Sequence, residues 1–135
     1  MSARTSPCDQ TTKSGRVKKA YQFLEAAETI RDVADNEVEI GDAFVTLCVQ
    51  AGIAAADAIC CEALGEYSRG QDHNEAVQLV KRVRPGGSEL ANALSALLGM
   101  KTRAEYSGQP VTADQQKRAE RNARKLVQAA RSRVT

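Results

Sequence analysis

The apolar residues of this chain recur at three- and four-residue steps, the period of helices laid against a common core. Val17, Ala20, Leu24, Ala27 and Ala34 keep that spacing, and Tyr21, Phe23 and Ile30 widen the stripe, which predicts a first helix from about Ser14 to Asp35. Asn36 to Gly41 interrupts it. From Asp42 to Glu66 the residues are apolar on nearly every side, the pattern of a helix enclosed by others rather than lying on a surface. Its alanines (Ala51, Ala54, Ala55, Ala56, Ala58) also admit close backbone approach.

After a turn at Ser68 to Gln71, Asp72 and Glu75 stand in the order of a capping box and open a third helix to about Arg82. Ala76, Val77, Leu79, Val80 and Val83 are its apolar side, and Arg84-Pro85-Gly86-Gly87 stops it. Ser88 is the expected cap of a fourth helix carrying Leu90, Ala91, Leu94, Leu97 and Leu98, which Gly99 ends. Residues 101–111 read as the longest irregular segment; Thr112 with Gln115 is a second capping box, opening a last helix from Ala113 to about Arg133. No stretch alternates β-branched and polar residues, so no strand is expected. The expectation is a disordered tail over residues 1–13 and one all-α domain over 14–135.

Composition narrows the function classes. A chain of 135 residues with 42% hydrophobic and 27% charged residues fits one globular domain. A net charge of +2 excludes a surface that is cationic throughout, but the charge is segregated: +4 over residues 1–20, −8 over 21–100 and +6 over 101–135. The last helix sets Lys117, Arg118, Arg121, Arg124, Lys125 and Arg131 opposite its apolar side. Such a side either steers a polyanion or is a solvated exterior balanced by the acidic middle of the chain. Aromatic residues make up only 4%, too few for a base-stacking platform.

The single histidine, His73, excludes a multi-histidine metal site, and no metal or cofactor is expected. The four cysteines (Cys8, Cys48, Cys60, Cys61) form no CxxC pair and read as small core residues rather than a zinc site or disulfide framework. Residues 1–15 lack the apolar segment of a secretory signal. The apolar run from Ala43 to Leu64 contains Asp57 and Glu62, which disfavours a membrane span. A cytoplasmic protein is expected.

Arg69 and His73 carry the candidate chemistry. A neutral imidazole can accept a proton near neutral pH, and a guanidinium can hold two phosphate oxygens. Both sit at a helix entrance, where free N–H groups favour an anion. Lys101, Arg103 and Tyr106 offer two more phosphate contacts and a stacking face, or else a loop packed through Tyr106 with its charges in water. Asp57, inside the most apolar helix, either points to a polar seam or pairs with a basic residue, with Arg103 as the candidate.

Three segments together resemble the HEPN domain family of small helical domains: Val49 to Ala58 (VQAGIAAADA), His73 opening HNEAVQLVKRV, and Lys101 to Tyr106 (KTRAEY) before a capped final helix ending LVQAARSRV. The opening helix SGRVKKAYQFLEAAETI also fits, so the resemblance spans residues 14–133. It implies an antiparallel up-and-down bundle of four main helices plus a short one in the fourth position. It also implies a homodimer, a nucleotidyltransferase-type protein partner, and roles in toxin–antitoxin or defence systems. In the ribonuclease branch of that family an arginine precedes a histidine by four to six intervening residues; here Arg69 and His73 have three between them. The reading is therefore a nucleotide- or RNA-associated, or partner-binding, helical module with Arg69, His73, Lys101, Arg103 and Tyr106 as binding residues. Its alternatives are a metal-independent endoribonuclease using Arg69 and His73, and a purely structural interaction bundle.

Overall fold

The structure, a computed structural model, describes residues 4–69 and 73–134. Its elements in chain order are β1 (Thr5–Pro7), α1 (Gln10–Val33), α2 (Gly41–Leu64), β2 (Glu66–Ser68), α3 (His73–Lys81), α4 (Gly87–Leu98), α5 (Lys101–Glu105) and α6 (Ala113–Arg133). The described residues are mostly helical, as expected, with one two-stranded ribbon.

Helix α2 is the centre of the core. Phe44, Val45, Cys48, Val49, Ala51, Ala54, Ala55, Ala58 and Ile59 are buried along it. Although α2 is long and apolar enough to cross a membrane, 72% of its most apolar window is buried inside the protein. Its small side chains let neighbours approach closely. A Cβ on Gly52 would stand 2.3 Å from Leu97 Cδ1 and 3.3 Å from Leu126 Cδ1, so α4 and α6 both reach the α2 backbone there.

Ion pairs fix how α1 runs. Lys13 meets Glu62 at 2.9 Å and Arg16 meets Asp57 at 2.7 Å, so the start of α1 lies against the end of α2 and the two helices are antiparallel. Arg31, near the end of α1, bonds Glu120 in the first half of α6 and stacks 4.7 Å over the Phe44 ring. Arg131, near the end of α6, stacks 4.7 Å over Tyr21 on α1, so α1 and α6 are also antiparallel.

Six expectations are corrected. Residues 5–13, read as tail, form β1 and the first turn of α1, where Asp9 caps the helix by accepting from Thr12 N at 2.7 Å. Strands do occur: β1 and β2 form an antiparallel ribbon with Ser6 opposite Tyr67. Three residues each is too short for an alternation to stand out in the sequence. Cys8 and Cys61 are joined by a disulfide, a pairing across 53 residues that no local spacing encodes. Cys60 and Cys61 are neighbours, but successive helix positions point about 100° apart. Cys60 therefore faces the core as a buried free thiol, as does Cys48, while Cys61 turns to β1. The segment 101–111 holds a short helix, α5, and the nine-residue α3 is shorter than the twelve-residue α4 in the fourth position. Finally, α4 starts at Gly87 with Gly86 before it and no side-chain cap, so Ser88 lies inside the first turn.

The Thr112–Gln115 capping box forms with both of its bonds, at 3.1 and 2.8 Å. Gly65 ends α2 in the left-handed conformation (φ 74°), which a residue with a Cβ adopts only under strain. The expected Asp72–Glu75 box involves a residue outside those described.

Candidate functional sites

The sequence-derived residues fall in two separate places. Arg69 follows β2 and is exposed, and its backbone N–H bonds Arg4 O at 3.0 Å. His73 opens α3, as expected, and is an exposed residue at the edge of a hollow lined by α2, β2, α3 and α4. Asp57, on the last third of α2, lines the same hollow. Lys101, Arg103 and Tyr106 lie elsewhere. Arg103 donates to Pro110 O, and the neighbouring Val111 N bonds Asp42, in the first turn of α2. Asp42 and Asp57 are separated by about 22 Å of helix at 1.5 Å per residue. The two groups of candidate residues thus serve opposite ends of α2.

The α5 side chains are committed to one another. Lys101 bonds both carboxylate oxygens of Glu105 at 2.6 and 2.7 Å, and its ammonium lies 5.8 Å from the Tyr106 ring centroid. Tyr106 is 76% exposed, with Lys101 over one face of its ring, and the two cations beside it are engaged. The Arg103–Asp57 bridge expected from the sequence does not form; Arg16 takes that place because α1 runs antiparallel beside α2.

Asp57 is the most perturbed carboxyl described. Burial raises it to about 6, against the opposing pull of Arg16. One of its oxygens accepts from Arg16 at 2.7 Å. The hydroxyl of Ser68, in the wall of the same hollow, is buried with no hydrogen-bond partner, and so is Nε of Arg16.

The exposed side of α6 is the second candidate. Lys117, Arg121, Arg124 and Lys125 rise at helical steps around an open hollow of about 670 Å³. Arg124 is shared between Glu28 at 3.4 Å and Glu120 at 3.2 Å, and Lys125 meets Glu89 at the long distance of 3.9 Å. The bond from Arg31 lowers the Glu120 carboxyl below its ordinary value, so its charge is already matched. Lys117, Arg118 and Arg121 are exposed and have no ion-pair partner among the described residues. Sequence reasoning noted these cations as one side of a helix; only the packed structure separates the matched ones from the unmatched.

No cluster of three or more histidine, cysteine or acidic side chains suited to a metal ion occurs among the described residues. Comparison with family models, with characterised proteins and with solved structures finds no match to this chain.

Proposed function

We propose that this protein is a non-catalytic helical module that binds a polyanion of the RNA class along α6. The observation that carries the reading is the unmatched trio Lys117, Arg118 and Arg121, all exposed, with Lys117 and Arg121 one turn apart on the wall of the open hollow. Unpaired exposed cations release counterions from a phosphate backbone without first breaking an internal ion pair. The resemblance to HEPN domains supports the same class, with α1, α2, α4 and α6 as the main staves of an up-and-down bundle. It also supports a homodimer and a nucleotidyltransferase-type partner. A cytoplasmic setting fits the burial of α2. In a reducing cytosol the Cys8–Cys61 bridge would be open, so that setting goes with the dithiol form.

Fluorescence anisotropy of a short labelled RNA, titrated at several salt concentrations, tests the reading. With Lys117→Glu and Arg121→Glu combined, affinity falls at least tenfold, and the slope of log Kd against log salt drops by about 1.4, or ~0.7 per lost contact. Equal binding by the double variant and the unmodified chain overturns it. The same samples run on a gel read the endoribonuclease alternative, which requires cleavage that His73→Ala abolishes. Absence of both binding and cleavage leaves the structural bundle.

A further inference from the structure

The hollow beside His73 lies away from the exposed side of α6, and its chemistry is different. Its walls are aliphatic: Ile53 and Ala56 on α2, Ala76 on α3, Leu94 and Leu98 on α4. Its polar groups are Asp57, Ser68 and His73. Each has hydrogen-bonding capacity left over. Ser68 Oγ is buried and unpartnered. Asp57 uses one oxygen for Arg16, and its second oxygen has no partner among the described residues. His73, exposed at the edge of the hollow, has no side-chain hydrogen bond among them either. Buried polar groups in folded proteins are almost always satisfied, so leftover capacity converging on an apolar-walled hollow points to something that binds there.

We propose that this hollow binds a small, uncharged carboxamide. Three constraints give that class. The volume is about 90 Å³. A dry cavity of ~150 Å³ holds benzene, so this one encloses about four heavy atoms and excludes an aromatic ring. Next is charge: Arg16 and Asp57 already neutralise each other at 2.7 Å, so an ammonium or carboxylate entering the apolar walls would be uncompensated. Last is hydrogen-bond polarity: an ionised Asp57 only accepts, whereas Ser68 and a His73 N–H can donate. A ligand must therefore donate at one atom and accept at another. A carboxamide does both; an ammonium only donates, and a carboxylate only accepts. Acetamide, a carboxamide of four heavy atoms, would set its methyl group among Ile53, Leu94 and Leu98, with its NH₂ toward Asp57 and its carbonyl toward Ser68 and His73.

The test is an NMR titration of the intact, disulfide-bonded chain with acetamide, with acetate and isopropylammonium as charged isosteres of the same heavy-atom count. The expected result is saturable shifts clustered at Ala56, Ser68, His73 and Ala76, with a Kd on the order of 1 mM. Both charged isosteres should bind at least tenfold more weakly. Ser68→Ala should weaken the amide by about 3- to 10-fold, the value of one hydrogen bond. Ala76→Leu, which fills the hollow from α3, should abolish binding while the helical circular dichroism and the RNA titration stay unchanged. Unsaturable or scattered shifts, equal binding of a charged isostere, or full binding by Ala76→Leu would each overturn the proposal. The RNA titration reads α6 alone, so failure here is distinguishable from failure of the polyanion reading.

Discussion

Replacing Cys8 with serine removes the only covalent link between the N-terminal segment and α2 found among the described residues. On the folded side the change is small. The β1–β2 register, the Cys8 N to Gly65 O bond at 3.0 Å and the Arg69 N to Arg4 O bond at 3.0 Å all use backbone atoms and survive. On the unfolded side the change is large, because a loop spanning 53 residues is no longer closed. The chain-entropy relation gives about 14 cal/mol/K for a loop of that length, or about 4 kcal/mol at 25 °C. That is a large part of the ~5–15 kcal/mol that holds a typical domain together. The assay is urea unfolding followed by circular dichroism, comparing the oxidised protein, the Cys8→Ser variant and the protein reduced in the unfolded state. The variant and the reduced protein should agree, each losing most of that 4 kcal/mol. Both should also show a steeper denaturant dependence, because an open unfolded chain exposes more surface. The buried thiols of Cys48 and Cys60, each pushed up to about 12 by burial, stay protonated and do not scramble the bridge in the folded protein. A loss below about 1 kcal/mol with an unchanged slope would refute the reasoning, since the bridge would then not be constraining the unfolded chain.

Gly52→Ala should destabilise by about 1–2 kcal/mol in the same assay. The new methyl collides with the fully buried Leu97, and that overpacking exceeds the ~1 kcal/mol gained in helix propensity. A neutral or stabilising outcome would mean that α4 moves aside freely. Asp57 titrates near 6 when folded against an ordinary 3.8, so between these values the folded chain holds a proton that the unfolded chain has lost. Its contribution to stability is full below pH 3.8 and is lost as pH rises through about 6, on the order of 3 kcal/mol in all. The stability difference between the unmodified chain and Asp57→Asn should therefore shift against the unmodified chain from pH 4 to pH 7; a shift the other way would contradict the burial argument. Thr112→Ala removes the acceptor of the 3.1 Å bond from Gln115 N and should cost about 1 kcal/mol, with amide exchange accelerated in the first turn of α6. Unchanged exchange there would show the cap to be idle.

The helical segments were legible because their signals are local. The apolar period of α1 and α6, the enclosed composition of α2, the Pro-Gly stop before α4 and the Thr112–Gln115 box each act within a few residues. His73 as the opening residue of α3 and the two-sided character of α6 follow from the same local patterns. The chain alone therefore settles that it is helical and where its charges collect. It does not settle which distant groups meet. Arg16 rather than Arg103 reaches Asp57, Cys8 finds Cys61, β1 pairs with β2, and Ser68 comes to share a hollow with His73, all because α1 folds back along α2 and brings the N-terminus to the end of that helix. Likewise, which α6 cations are spent on internal carboxylates depends on where α1 and α4 lie beside them. Periodicity and capping act over single turns, whereas ion pairs, disulfides and hollows are decided by how whole helices pack, and only the tertiary structure carries that information.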